Sequence, residues 1–114
     1  MRGIIMCEFG CRLIDNEIVT TCKTSISMCN IIDIEAGTNG YHGGDSGHGG
    51  RTYIRIEDNS GSDMKVKTVN GDRGVEIFLG GDSELDTIIG ALEFAVKILK
   101  KQASASKKTL QNKL

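Results

Sequence analysis

The chain has 114 residues, 15 of them glycine, and neither proline nor tryptophan. Lys+Arg number 14 against 15 Asp+Glu, a formal net charge of −1, which excludes the strongly basic character of a general nucleic-acid binder. The length suits one domain rather than two, and no run of about 18 apolar residues offers a membrane-spanning helix.

The first third reads as extended structure. Ile4-Ile5-Met6-Cys7-Glu8-Phe9 is apolar and β-branched, and Glu8 interrupts the run too early for a secretory signal, so a cytoplasmic location is expected. Asp15-Asn16, flanked by Leu13-Ile14 and Ile18-Val19, predicts a hairpin joining a strand near 3–14 to one over 17–28. Thr20, Thr21, Thr24, Ser25 and Ser27 suit a strand face turned to water. The cysteines at 7, 11, 22 and 29 are spaced C-x3-C and C-x6-C. That spacing fits small buried thiols better than a zinc knuckle or a redox pair. Asn30–Glu35 reads as a third strand.

Thr52–Glu57 alternates, with Thr52, Ile54 and Ile56 on one face and Tyr53, Arg55 and Glu57 on the other. Asp58–Ser62 is a turn cluster, Met64–Val69 a further strand, and Asn70-Gly71 a hairpin cue. Val75–Leu79 closes the meander, with Val75, Ile77 and Leu79 expected inward. A helix follows, capped by Asp82 or Ser83, with Glu84 and Asp86 at the positive end of its dipole. Leu85, Ile88, Ile89, Leu92, Val96 and Leu99 form its apolar stripe, expected to cover the sheet as core and also to offer an interface, with Phe94 and Ile98 flanking it as candidates for either a subunit contact or a wider buried face. Residues 1–102 thus read as a single ligand-binding domain, and 103–114 as a basic polar tail or short second helix. The fold class is α+β: an antiparallel β-meander sheet packed by one C-terminal helix. With aromatics at only 4%, the core is expected to be thin and supplemented by homo-oligomerisation.

The segment Gly37–Arg51 stands apart, because 7 of positions 37–50 are glycine. Glycine costs about 0.5–1 kcal/mol in regular structure, and flexible linkers are padded with serine instead. Here the glycines are interleaved with Tyr41, His42, Asp45, Ser46 and His48. Removing Cβ atoms lets a backbone approach a ligand, and successive N–H groups can cradle an anion such as phosphate. Arg51 can add a bidentate contact, and Tyr41 can stack on a base. The candidate ligand-binding set is therefore Thr38, Asn39, Gly40, Tyr41, His42, Gly43, Gly44, Asp45, Ser46, Gly47, His48 and Gly49, with Arg51, Tyr53 and Arg55 as a floor on one strand face. The segment matches neither a Walker nor a Rossmann pattern.

His42-x2-Asp45-x2-His48 offers two imidazoles and a carboxylate, yet the spacing fits no common metal motif and the glycines hold geometry poorly. Ser46 is out of register for a nucleophile elbow. No catalytic residue, metal or cofactor is therefore assigned. The alternatives are a small His- or metal-dependent phosphohydrolase or lyase using His42 and His48, and a protein-binding inhibitor of a host enzyme.

The run Gly40–Tyr53, followed by strands and the Asp82–Gln102 helix, resembles small phage-encoded anti-defence proteins of the Thoeris type. The resemblance is one of architecture over most of residues 1–102. It implies an oligomeric β-rich domain that sequesters a phosphorylated nucleotide signal, such as a cyclic nucleotide or a cyclic ADP-ribose variant, without cleaving it, in the host cytoplasm. The basic groups such proteins carry near the C-terminus would be lysines here, since no arginine follows Arg73. The expected partners are a small nucleotide and further copies of the chain, with no membrane and no general nucleic-acid binding.

Overall fold

The computed structural model describes residues 7–43 and 47–113, with side chains through 106. The first predicted strand therefore begins outside the described residues at 3–6, and Gly44, Asp45 and Ser46 of the candidate site also lie outside them. Six strands precede one helix: β1 Glu8–Ile14, β2 Glu17–Ser27, β3 Ile31–Thr38, β4 Thr52–Ser60, β5 Met64–Val69, β6 Gly74–Leu79 and α1 Asp82–Lys113. The fold is α+β, as the alternation and the single helical period indicate.

Two short-turn signals act as read. Asp15 and Asn16 both take positive φ (50° and 66°), the left-handed pair that a two-residue hairpin needs to follow strand twist. Asn70 and Gly71 also take positive φ, 54° and 70°, but they open a four-residue turn over 70–73, in which Arg73 N donates to Asn70 O (3.2 Å) and Val69 pairs with Gly74. The strands do not form one meander, however. β1–β4 make a four-stranded antiparallel sheet in chain order, whereas β5 and β6, among the described residues, pair with each other in a separate two-stranded sheet. Val75 is accordingly exposed, while Ile77 and Leu79 are half-buried. Met64 and Leu79, at the base of the hairpin, pack against the core.

α1 lies over β2 and β3. The core between them is Cys22, Ile32, Ile34 and Ala36 from the sheet and Ala91, Ala95 and Ile98 from the helix. This corrects the predicted stripe: Leu85, Ile89, Leu92 and Val96 are exposed, and Ile88 and Leu99 only half-buried. A broad sheet face accepts small helical residues because they let the two elements approach closely. Thr21, expected in water, is fully buried on the sheet's other face. The helix also runs without a break through Lys113, where the composition suggests a tail or a second helix. Nothing in 103–113 breaks a helix: four of the first turns' small residues are Ala and Ser, and no glycine or proline occurs.

Hydrogen bonds hold α1 at both ends. Buried Asn30 in the β2–β3 turn donates from Nδ2 to Ser62 Oγ (2.7 Å) and Thr87 Oγ1 (3.0 Å), while Ser83 Oγ donates to its Oδ1. Near the other end Gln102 Oε1 accepts from Thr38 N (2.7 Å) and its Nε2 donates to Thr20 O (3.0 Å). Gln102 thereby occupies backbone groups at the end of the β2–β3 ladder and fixes the helix beside the glycine segment. No described helix is long and apolar enough to cross a membrane.

Candidate ligand cleft beside the glycine segment

The glycine segment connects β3 to β4 and is stitched at its base. Asn39 N donates to Arg51 O (3.1 Å), Arg51 N donates to Asn39 Oδ1 (2.6 Å), and Thr38 Oγ1 donates to Arg51 O (3.0 Å). With its one hydrogen so used, Thr38 Oγ1 accepts from Gly40 N (3.0 Å) and from the Thr52 hydroxyl (2.9 Å), so every hydrogen-bonding position of that hydroxyl is filled. Further out Gly49 N donates to Gly43 O (2.7 Å).

Close approach explains part of the glycine content. A Cβ on Gly50 would stand 2.3 Å from Gly40 O. The two arms of the loop therefore pack backbone on backbone. Gly40 has φ +86°, and a Cβ there would stand 2.1 Å from Ser106 Cβ of α1. Ser106 Oγ donates to Tyr41 O (3.0 Å), which completes the seam between loop and helix.

The loop and helix enclose a cleft of about 560 Å³. Thr38 and Thr52 form its floor, Leu99 and Ala103 one wall, and Tyr41, His42 and the backbone of Gly40, Gly43, Gly47 and Gly50 the other. His42 Nε2 lies 2.6 Å from Asn39 O. A carbonyl only accepts, so Nε2 carries the proton and Nδ1 is the acceptor of the neutral ring. His48 and Gly49 belong to the loop but not to this lining. Among the described residues no group of three or more His, Cys, Asp or Glu side chains could hold a metal ion; the Asp45 of the predicted trio lies outside them.

Arg51, Tyr53 and Arg55 are not brought to the cleft. Thr38 pairs with Thr52, which puts Thr52 on the helix-covered face. Alternation then places its odd-numbered neighbours on the opposite, helix-free face. Arg51 Nη1 donates to His48 O (2.5 Å) and Gly50 O (2.9 Å), and Nε lies 3.2 Å from Asp15 Oδ2, an ion pair without hydrogen-bond alignment. Its guanidinium thus staples the loop to the β1–β2 turn. Arg55 pairs with Glu57 at 3.0 Å.

On that helix-free face the structure brings Arg12 and Glu35, which the sequence did not flag, together with Thr21 and Tyr53. Arg12 forms a fork on the buried Glu35, Nε to Oε2 at 3.0 Å and Nη2 to Oε1 at 2.6 Å, and Thr21 Oγ1 donates to Oε2 at 2.7 Å. The Arg12 guanidinium lies 4.7 Å from the Tyr53 ring centroid. Arg12 holds the Glu35 carboxyl below the usual range against the opposing effect of burial, with Thr21 assisting. A glutamate between Ile34 and Ala36 was the available signal. On the helix-covered face burial pushes the Cys22 thiol up to about 11, with its hydrogen bond to Cys7 adding to the shift. Cys11 and Cys29 are exposed free thiols. The chain matches no protein family, no curated protein and no solved structure.

Proposed function

We propose that this chain is a non-enzymatic binding module that captures a nucleotide-sized ligand between its glycine segment and α1, acting in the cytoplasm. The observation that carries the reading is the cleft of about 560 Å³, within the range of about 300–1,000 Å³ common for small-molecule sites. An exposed Tyr41 ring on its wall suits stacking on a base. Phosphate contacts come from the loop backbone rather than from arginine, since Arg51 and Arg55 serve the other face. Binding is favoured over turnover because His42, the imidazole in the lining, commits its Nε2 proton to Asn39 O.

Calorimetric titration with adenosine, AMP, cyclic AMP, cyclic dinucleotides, cyclic ADP-ribose and inorganic phosphate tests the reading. The expected result is micromolar binding of at least one nucleotide, weakened at least about tenfold, or about 1.4 kcal/mol, by Tyr41→Ala. Binding of none of them, or undiminished binding by Tyr41→Ala and His42→Ala, overturns it.

A further inference from the structure

α1 has two faces of unlike composition. Toward the sheet it turns Thr87, Ala91, Ala95 and Ile98. Away from the sheet it turns Leu85, Ile89, Leu92 and Val96, each between 45% and 57% exposed. These four are spaced four, three and four residues apart, and Leu99 continues the series. That is the heptad seam by which one helix packs on another, with β-branched residues at one core position and leucine at the other. Leu99 and Ala103 face Thr52 across the cleft, so the seam overhangs β4. Among the described residues no strand pairs with the outer edge of β4, and its Ile54 is exposed on the helix-covered face.

The charges of α1 select the occupant. All its acidic residues, Asp82, Glu84, Asp86 and Glu93, precede Lys97, and all six lysines follow Val96. A second α1 laid antiparallel sets acidic half against basic half, and a parallel one sets like against like. We infer that the outward seam of α1 is the interface of a two-fold dimer, with α1 of a second copy packed antiparallel along it. Laying Leu92 on Val96 of the second copy sets Ile89 against Leu99 and brings Asp86 beside Lys100. Glu93 then meets its own counterpart near the axis, where Lys97, one turn along the same helix, offsets the repulsion. The second helix also covers Ile54. The inference does not rest on the cleft binding a nucleotide, although Leu99 stands in both the cleft wall and the seam.

Sedimentation of the full chain at micromolar concentration tests it. The parent is expected to be a dimer and Leu92→Glu/Val96→Glu a monomer with an unchanged circular dichroism spectrum, because both side chains are exposed in the monomer. Val75→Glu/Phe78→Glu, on the β5–β6 hairpin, is the control and is expected to remain dimeric. Lys100→Glu is expected to weaken association severalfold, and adding Asp86→Lys to the same chain to restore it. A monomeric parent, or a dimer that survives Leu92→Glu/Val96→Glu, overturns the interface. Failure of the double charge swap to restore association overturns the antiparallel arrangement.

Discussion

Glu35 is buried on the helix-free face of β3, between the core residues Ile34 and Ala36, and an unpaired carboxylate there would be costly to bury. The Arg12 fork and the Thr21 hydroxyl supply its partners and depress its folded pKa. At Asp33, on the same face, burial acts upward but hydrogen bonds from Ser25 and Asn59 and the charge of Lys23 leave the carboxyl lowered as well. A carboxyl whose folded pKa lies below its unfolded value of about 4.3 for glutamate contributes stability above that pH. The contribution is lost as pH falls through the folded value. The thermal midpoint is therefore expected to decline from about pH 5 downward, and Glu35→Gln is expected to flatten that decline while lowering the neutral-pH plateau. Identical acid limbs for parent and variant would show that Glu35 carries no linkage. The oddity of Glu35 was visible in the sequence. Its partner was not, because Arg12 lies 23 residues away and reaches it only through the register of two hairpins.

At the scale of elements, α1 was legible in existence and start but not in orientation. Asp82 and Glu84 in the first turn mark the beginning. Apolar periodicity then selects the largest aliphatics as the buried face, and here the sheet takes the alanines. A period reports that two faces differ; it does not report which one meets the sheet when both carry apolar residues. The β5–β6 hairpin was legible for a similar reason and misplaced for a similar one, since Asn70-Gly71 fixes a local turn and nothing local joins the hairpin to the larger sheet. What orients α1 is the Asn30 network, where one buried side chain ties the β2–β3 turn to Ser62, Ser83 and Thr87. Asn30→Leu leaves three hydroxyls short of a partner in a closed site. It is expected to cost about 1–3 kcal/mol in urea unfolding, with the midpoint falling and the slope unchanged. A loss too small to resolve would mean that water replaces the asparagine, and that the apolar core alone seats the helix.

The molecule as a whole is a plate of 50 × 43 × 19 Å with a radius of gyration of 15.9 Å, against about 13 Å for a compact chain of this length. One layer of side chains separates sheet from helix, and both flanks of the helix leave apolar sheet open, with Phe9, Leu13 and Ile18 exposed on one side and Ile54 on the other. The same flatness explains what was legible of the candidate site. The glycine segment marked the place of the cleft, but which sheet face it opened on depended on the pairing of Thr38 with Thr52, and that pairing sent Arg51, Tyr53 and Arg55 to the far side. Stability in such a plate is uneven. β2 and β3 are paired on both edges and covered by α1, whereas β5 and β6 touch the core through Met64 and Leu79 at their base, and an isolated two-stranded hairpin is marginal in water. Native-state hydrogen exchange on the Leu92→Glu/Val96→Glu chain, where association does not add protection, is expected to show the slowest amides in β2 and β3. The β5–β6 amides are expected to exchange by local opening, with free energies well below the global value. Equal protection of β6 and β3 would mean that the hairpin opens only when the whole plate does, and that its few basal contacts are enough to make it one cooperative unit with the sheet.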